Sequence, residues 1–302
     1  MRLTGSTPLR MAWIIVLGLG PVSVAIAADP EPTHPAVSYG SHPHQLLDVY
    51  VPPGDGPFPV LIWYGRLWEP GATVPPVKRM FASGVAAVGV RTRVMKDGIA
   101  DKVEPPVSVC LLDARRALQF VRLHATEWKI DPDRIAVGGS SHGALPALYV
   151  ATAGEKADPN SSDPVERQST KVACAGAHRS QPSLDPQRMQ TWEPGVEWGA
   201  PAFGCGFAES LRRRDEFLPW IEKWSPENLL SPDDPPIFFE NNWGLSQPDG
   251  VKRMDYLVHS PRWGLGFQEL ARARSVTCYV KYPDHPSAKF TDIWDFLARQ
   301  GK

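Results

Sequence analysis

Cysteine is scarce and charge is balanced in this chain of 302 residues. Its four cysteines, Cys110, Cys174, Cys205 and Cys278, have neither the paired CxxC spacing of a zinc site nor the density of a disulfide scaffold. A Cys174–Cys205 bridge is open to them, and so is burial as free thiols. Lys and Arg number 32 against 33 acids, a net of −1, so nothing marks a surface for nucleic acid or an anionic membrane. No internal repeat or low-complexity tract occurs, and after residue 28 no apolar run is long enough to span a bilayer. Material for a core is plentiful: at 42% apolar residues the chain can fill one large domain, which excludes disorder for most of its length.

The first 28 residues differ from the rest. Arg2 and Arg10 precede an uncharged apolar run, Met11 to Ile26, that ends in small residues through Ala28. A basic start, an apolar centre and a small-residue site describe a secretory signal, and the run is short for an anchor and broken by Pro21. The expectation is a signal peptide over 1–28, a domain over 29–302, and export to a periplasmic or extracellular compartment. No stable membrane span is left once the signal is removed.

Beyond a polar, Pro-rich lead, Asp29 to Pro35, LLDVYVPP alternates with period two and reads as a strand. Pro59 to Tyr64 is a continuous apolar run, as a strand covered on both faces requires. VKRMFASG then reads as a helix closed by Gly84, and VAAVGV as a second buried strand. Apolar residues at 107, 111, 114, 118, 121 and 125 mark one face of a long helix. RIAVGG, VACAG, PIFFE and VTCYVKY are strand-like, a helical stretch follows the first of them, and a closing helix runs roughly from Ala288 to Arg299. Strands alternating with helices predict an α/β three-layer sandwich around a mostly parallel sheet. The section from His178 to Pro235 has little strand character and holds Trp192, Trp198, Trp220 and Trp224. It reads as an insertion, 178–235, over the carboxyl edge of the sheet, where open α/β folds bind ligands. Those tryptophans fit packing or sugar-ring stacking.

One motif carries chemistry. Gly139-Ser140-Ser141-His142-Gly143 fits G-x-S-x-G between a strand and a helix, the setting in which a serine is thrust clear of a sheet as a nucleophile. Ser140 is the weaker candidate, because a pattern centred on it would need glycine where His142 stands. His42 and His44 suggest a metal, but spacing offers no third ligand, and a hairpin turn is the simpler reading. Asp113, Arg115 and Arg116 read as a solvated or salt-bridged helix face.

With these residues the chain resembles the α/β-hydrolase superfamily, in its esterase/lipase group of hormone-sensitive-lipase-like and feruloyl-esterase-like enzymes. YGSHPHQLLDVYVPP, PVLIWYGRLW, DARRALQFVRLHATEWKIDPDRIAVGGSSHGA, PPIFFE and VKYPDHP carry the resemblance. It implies a serine hydrolase that cleaves a carboxylic ester through an acyl-enzyme and needs no cofactor. Ser141 falls on the nucleophile, and the family order of serine, acid and histidine puts the base at His285, after the last strand, with His142, His178 and His259 as rivals. The acid falls on Asp255, where Asp255-Tyr256-Leu257-Val258 resembles a D-x-x-V motif, or on Asp249. N–H groups near Gly65, Arg66 and His142 are the expected oxyanion donors. The departure is Tyr64-Gly65-Arg66-Leu67-Trp68 in place of H-G-G-x-W, since Arg66 restricts φ and brings a cation to the mouth. A small-molecule or carbohydrate-linked ester is the implied substrate. A serine peptidase of the same fold, or a catalytically impaired binding protein, is the alternative.

Overall fold

The structure is a computed structural model that describes residues 29–71, 74–198, 202–286 and 289–301. The expected signal lies outside the described residues.

Eight strands form one sheet: β1 (His34–Ser38), β2 (Leu46–Tyr50), β3 (Phe58–Tyr64), β4 (Ala86–Arg91), β5 (Ile130–Ser140), β6 (Cys174–His178), β7 (Ile237–Glu240) and β8 (Cys278–Lys281). Their spatial order is β1-β2-β4-β3-β5-β6-β7-β8. The β1–β2 and β2–β4 pairs are antiparallel and every other pair is parallel.

The helices are α1 (Val77–Ala82), α2 (Met95–Ala100), α3 (Val107–Leu123), α4 (Ala144–Thr152), α5 (Pro186–Trp192), α6 (Phe207–Arg212), α7 (Arg214–Trp224), α8 (Pro226–Leu229), α9 (Arg253–Val258), α10 (Arg262–Ala273) and α11 (Ile293–Gln300). Alternation along β3 sorts them into layers. Val60, Ile62 and Tyr64 face a core shared with α3, α4 and α10, whereas Leu61 and Trp63 face one shared with α1 and α11. Each of these strand residues is almost wholly buried, and full burial of a large aliphatic side chain contributes about 1.5–3 kcal/mol, so β3 anchors both layers.

The edge strand β1 departs from the sequence reading, which took its start as a polar lead. Its burial is low and irregular, so it carries no alternation signal, and backbone pairing to β2 makes it a strand. The four cysteines are free, and no Cys174–Cys205 bridge forms. Asp113 is buried rather than solvated and takes hydrogen bonds from Arg93 and Gln45. The section between β6 and β7 forms α5 to α8. Three of its tryptophans pack: Trp224 on Tyr149, Trp220 on Phe217 and Trp192 on Trp263. Trp198 packs on Trp68 and His142 and also lines a cavity with Ser141.

Candidate active site

At the carboxyl edge β5 ends on Ser140, and a single 3-10 turn, Ser141–Gly143, leads into α4. Ser141 has φ of +51°, a left-handed conformation that costs a residue with a side chain about 1–3 kcal/mol. Packing enforces it. A Cβ on Gly139 would lie 1.9 Å from the Gly143 carbonyl oxygen, and one on Gly143 would lie 2.2 Å from that of Tyr64. Both positions exclude any side chain, so the motif's glycines let the turn close against β3.

Ser141 Oγ lies 2.8 Å from Nε2 of His259, whose Nδ1 lies 3.0 Å from Oδ1 of Asp255. The last two residues are four apart on α9 and its carboxyl-terminal cap, a spacing that stacks side chains on one helix face. Asn241, which follows β7 directly, donates from Nδ2 to the His259 carbonyl oxygen (2.6 Å). The Trp243 ring meets the imidazole edge-on at 6.0 Å, and the Arg179 guanidinium covers Trp243 at 3.9 Å. Burial and the Arg179 charge hold the His259 pKa below its ordinary value, against the hydrogen bond that Nδ1–H donates to Asp255. The imidazole is therefore neutral near pH 7 and can accept a proton. The Asp255 side chain is 54% exposed, so water screens its charge and weakens its hold on the ring.

His285 is not brought to Ser141, which corrects the base expected there. Tyr282 and His285 exchange backbone hydrogen bonds of 3.2 and 2.9 Å around Pro283-Asp284, so the chain folds back on the end of β8. The His285 ring is exposed and rests on Tyr282, while α9 presents His259 to the serine. Asp249 is exposed in the loop between β7 and α9 and takes no part in the constellation. A second contact joins Ser140 Oγ to His178 Nδ1 (2.9 Å), with His178 Nε2 at 3.3 Å from Asn242 Oδ1. Ser140 keeps extended backbone (φ −119°, ψ 139°) and lacks the turn that exposes Ser141.

Of the three expected oxyanion donors, Gly65 is corrected too. Its N–H donates to the Val90 carbonyl oxygen (3.0 Å) and is spent on the edge of the sheet. Among the described residues the Arg66 N–H has no hydrogen-bond partner, and that of His142 lies in the first turn of a helix, where amides lack helical acceptors. The Arg66 side chain is exposed. The His142 ring accepts a hydrogen bond at Nε2 from Trp68 Nε1 (3.0 Å) and packs against Trp198, which ties the loop after β3 to the serine turn. Burial, the charge of His259 and that of Arg66 push its pKa down to about 4, so it stays neutral.

Two hollows meet at Ser141. One, of about 290 Å³, is lined by His142, Trp198, Met254, Asp255, Val258 and His259. The other, of about 30 Å³, is narrow and is lined by Leu67, Leu145, Ser183, Leu184 and Met189 among others. A larger cavity of about 620 Å³ lies at the opposite, amino edge of the sheet, beside Glu155 and Asp234, away from the serine.

Sheet order, layers and the G-x-S-x-G turn define the α/β-hydrolase class. Within it the chain matches the BD-FAE family over residues 47–241 and belongs to that family of α/β-hydrolase-like esterases. No curated protein matches the sequence. Among solved structures, a truncated carbohydrate esterase from gut microbiota is similar at 17% identity and TM-score 0.64, over 91% of this chain and 98% of that one. An acetyl ester-xyloside bifunctional hydrolase from Caldicellulosiruptor lactoaceticus is 20% identical, with TM-score 0.55 over 78% and 76% of the two chains. Esterase 2 of Thermogutta terrifontis, phosphonylated by sarin, is 19% identical, with TM-score 0.55 over 84% of each.

Proposed function

We propose that the protein is an exported serine esterase in which Ser141, His259 and Asp255 act as nucleophile, base and orienting acid. The observation that carries this reading is the 2.8 Å contact between Ser141 Oγ and His259 Nε2 at a strained strand-to-helix turn. His259 Nε2 takes the Ser141 proton as Oγ attacks the ester carbonyl carbon. Asp255 holds Nδ1–H and stabilises the imidazolium without taking the proton. The tetrahedral oxyanion is received by the N–H groups of Arg66 and His142, each such donor being worth on the order of 3 kcal/mol in the transition state. Collapse expels the alcohol, which leaves with the proton from His259 and gives the Ser141 acyl-enzyme. Water, deprotonated by the same histidine, then releases the acid. The aromatic wall of Trp68, His142 and Trp198 offers flat faces to a sugar ring, and two of the similar proteins are named for carbohydrate or xyloside chemistry, which supports a carbohydrate-linked ester.

Turnover of p-nitrophenyl acetate tests the reading. Ser141→Ala is expected to lower kcat on the order of 10⁴-fold or more with the fold retained, and to abolish labelling by a fluorophosphonate. His259→Gln is expected to match it, whereas His285→Gln leaves turnover within a few-fold of wild type. The reverse ranking of the two histidines would return the base to the loop after β8.

A further inference from the structure

At the far end of the sheet, the turn between β1 and β2 brings His42 and His44 onto Asp97 of α2. Nδ1 of His44 lies 2.9 Å from Oδ2 of Asp97, the two histidine rings meet edge to face at 4.9 Å, and donor atoms from all three residues lie within 4.8 Å of one another. We propose that His42, His44 and Asp97 bind one divalent transition-metal cation of the zinc class, separate from the ester-cleaving site.

Two imidazoles and one carboxylate form a donor set that zinc accepts, with a fourth position left for water. A tetrahedral ion with bonds of about 2.1 Å wants donors about 3.4 Å apart, so the His44–Asp97 pair opens slightly from 2.9 Å as all three donors settle around it. The surroundings already orient the ligands. The backbone N–H of His44 donates to Nδ1 of His42 (3.1 Å), and that of Val94 donates to Oδ2 of Asp97 (2.8 Å). Groups of this kind hold metal ligands in register. The cation takes the place of the hydrogen bond between His44 and Asp97. Its reach extends inward, because Met95, the first residue of α2, donates its N–H to the Leu67 carbonyl oxygen (2.8 Å) in the loop that holds Arg66 and Trp68. The third ligand is 53 positions from His44 in the chain, which is why spacing gives no hint of it.

Titration calorimetry of the full chain with ZnCl₂, paired with thermal unfolding, tests this. One equivalent is expected to bind, with a rise in Tm, and His42→Gln, His44→Gln and Asp97→Asn are each expected to lose both effects. Asp97→Asn also alters the Val94 bond and could weaken the fold, so His42→Gln, which leaves that bond alone, is the deciding variant. Co²⁺ in place of Zn²⁺ is expected to give d–d bands without a thiolate charge-transfer band. The proposal fails if wild type takes up no metal, if His42→Gln binds as wild type does, or if the Co²⁺ spectrum reports cysteine. Ester turnover enters none of these readouts, so the two proposals stand or fall apart.

Discussion

Arg179 sits behind the proposed base and holds it ready for work. Its guanidinium covers Trp243, and its charge, second only to burial, lowers the proton affinity of His259. Removing that charge raises the imidazole pKa, so a larger share of the base is protonated at a given acid pH. Arg179→Met is therefore expected to move the acid limb of the kcat/KM profile to higher pH, with activity above pH 8 less affected. An unmoved limb would show that the cation acts only through packing. At this scale the turn that holds Ser141 was legible in the sequence, and the histidine that the structure sets beside it was not. The glycines around Ser141 are steric necessities and so leave a local pattern. The base was sought after the last strand because relatives keep it there, although the spacing from Asp255 to His259 is the i,i+4 signature of two side chains on one helix face. Gly65 misled for a related reason, since only the register of β3 on β4 shows that its amide is already bonded.

Among the elements, the turn from β5 into α4 has the least tolerance. Gly139 is pressed against Gly143, and Gly143 against the end of β3. Gly139→Ala is expected to force the turn apart, with turnover falling far more than Tm, because the steric conflict falls on the segment that aims the proposed nucleophile; equal effects on both would mark a general packing defect. Strands β2 to β8 could be read from the chain because those buried on both faces are unbroken apolar runs bounded by turns. β1 could not, since an exposed edge strand is held by backbone bonds that any sequence can make. The tryptophan-rich insertion was legible as an insertion but not as α5 to α8, where apolar residues serve local packing as much as a common face.

For the molecule as a whole, pH acts on stability through Glu227. It is fully enclosed, with the hydroxyls of Ser183 and Ser225 each 2.5 Å from its carboxylate, and burial outweighs them to push its pKa up to about 7. The folded chain keeps this proton at pH values where the unfolded chain has lost it. The stabilisation is complete at pH below the ordinary carboxylate range and is lost as pH rises through about 7. A shift of this size corresponds to on the order of 3 kcal/mol. Wild-type Tm is expected to fall more steeply between pH 5 and 8 than that of Glu227→Gln, and parallel curves would place the titration elsewhere. Ser183 also lines the narrow hollow beside Ser141, so the same ionisation bears on the shape of the site.

The joint placement of Asp255 and His259 on α9 bears on inheritance. In a layout where acid and base hang from separate loops, any change in length of either must be matched by the other. Here the proposed pair travels as one cassette, and the short loop directly after β8 is released to drift or lengthen without touching the proposed reaction.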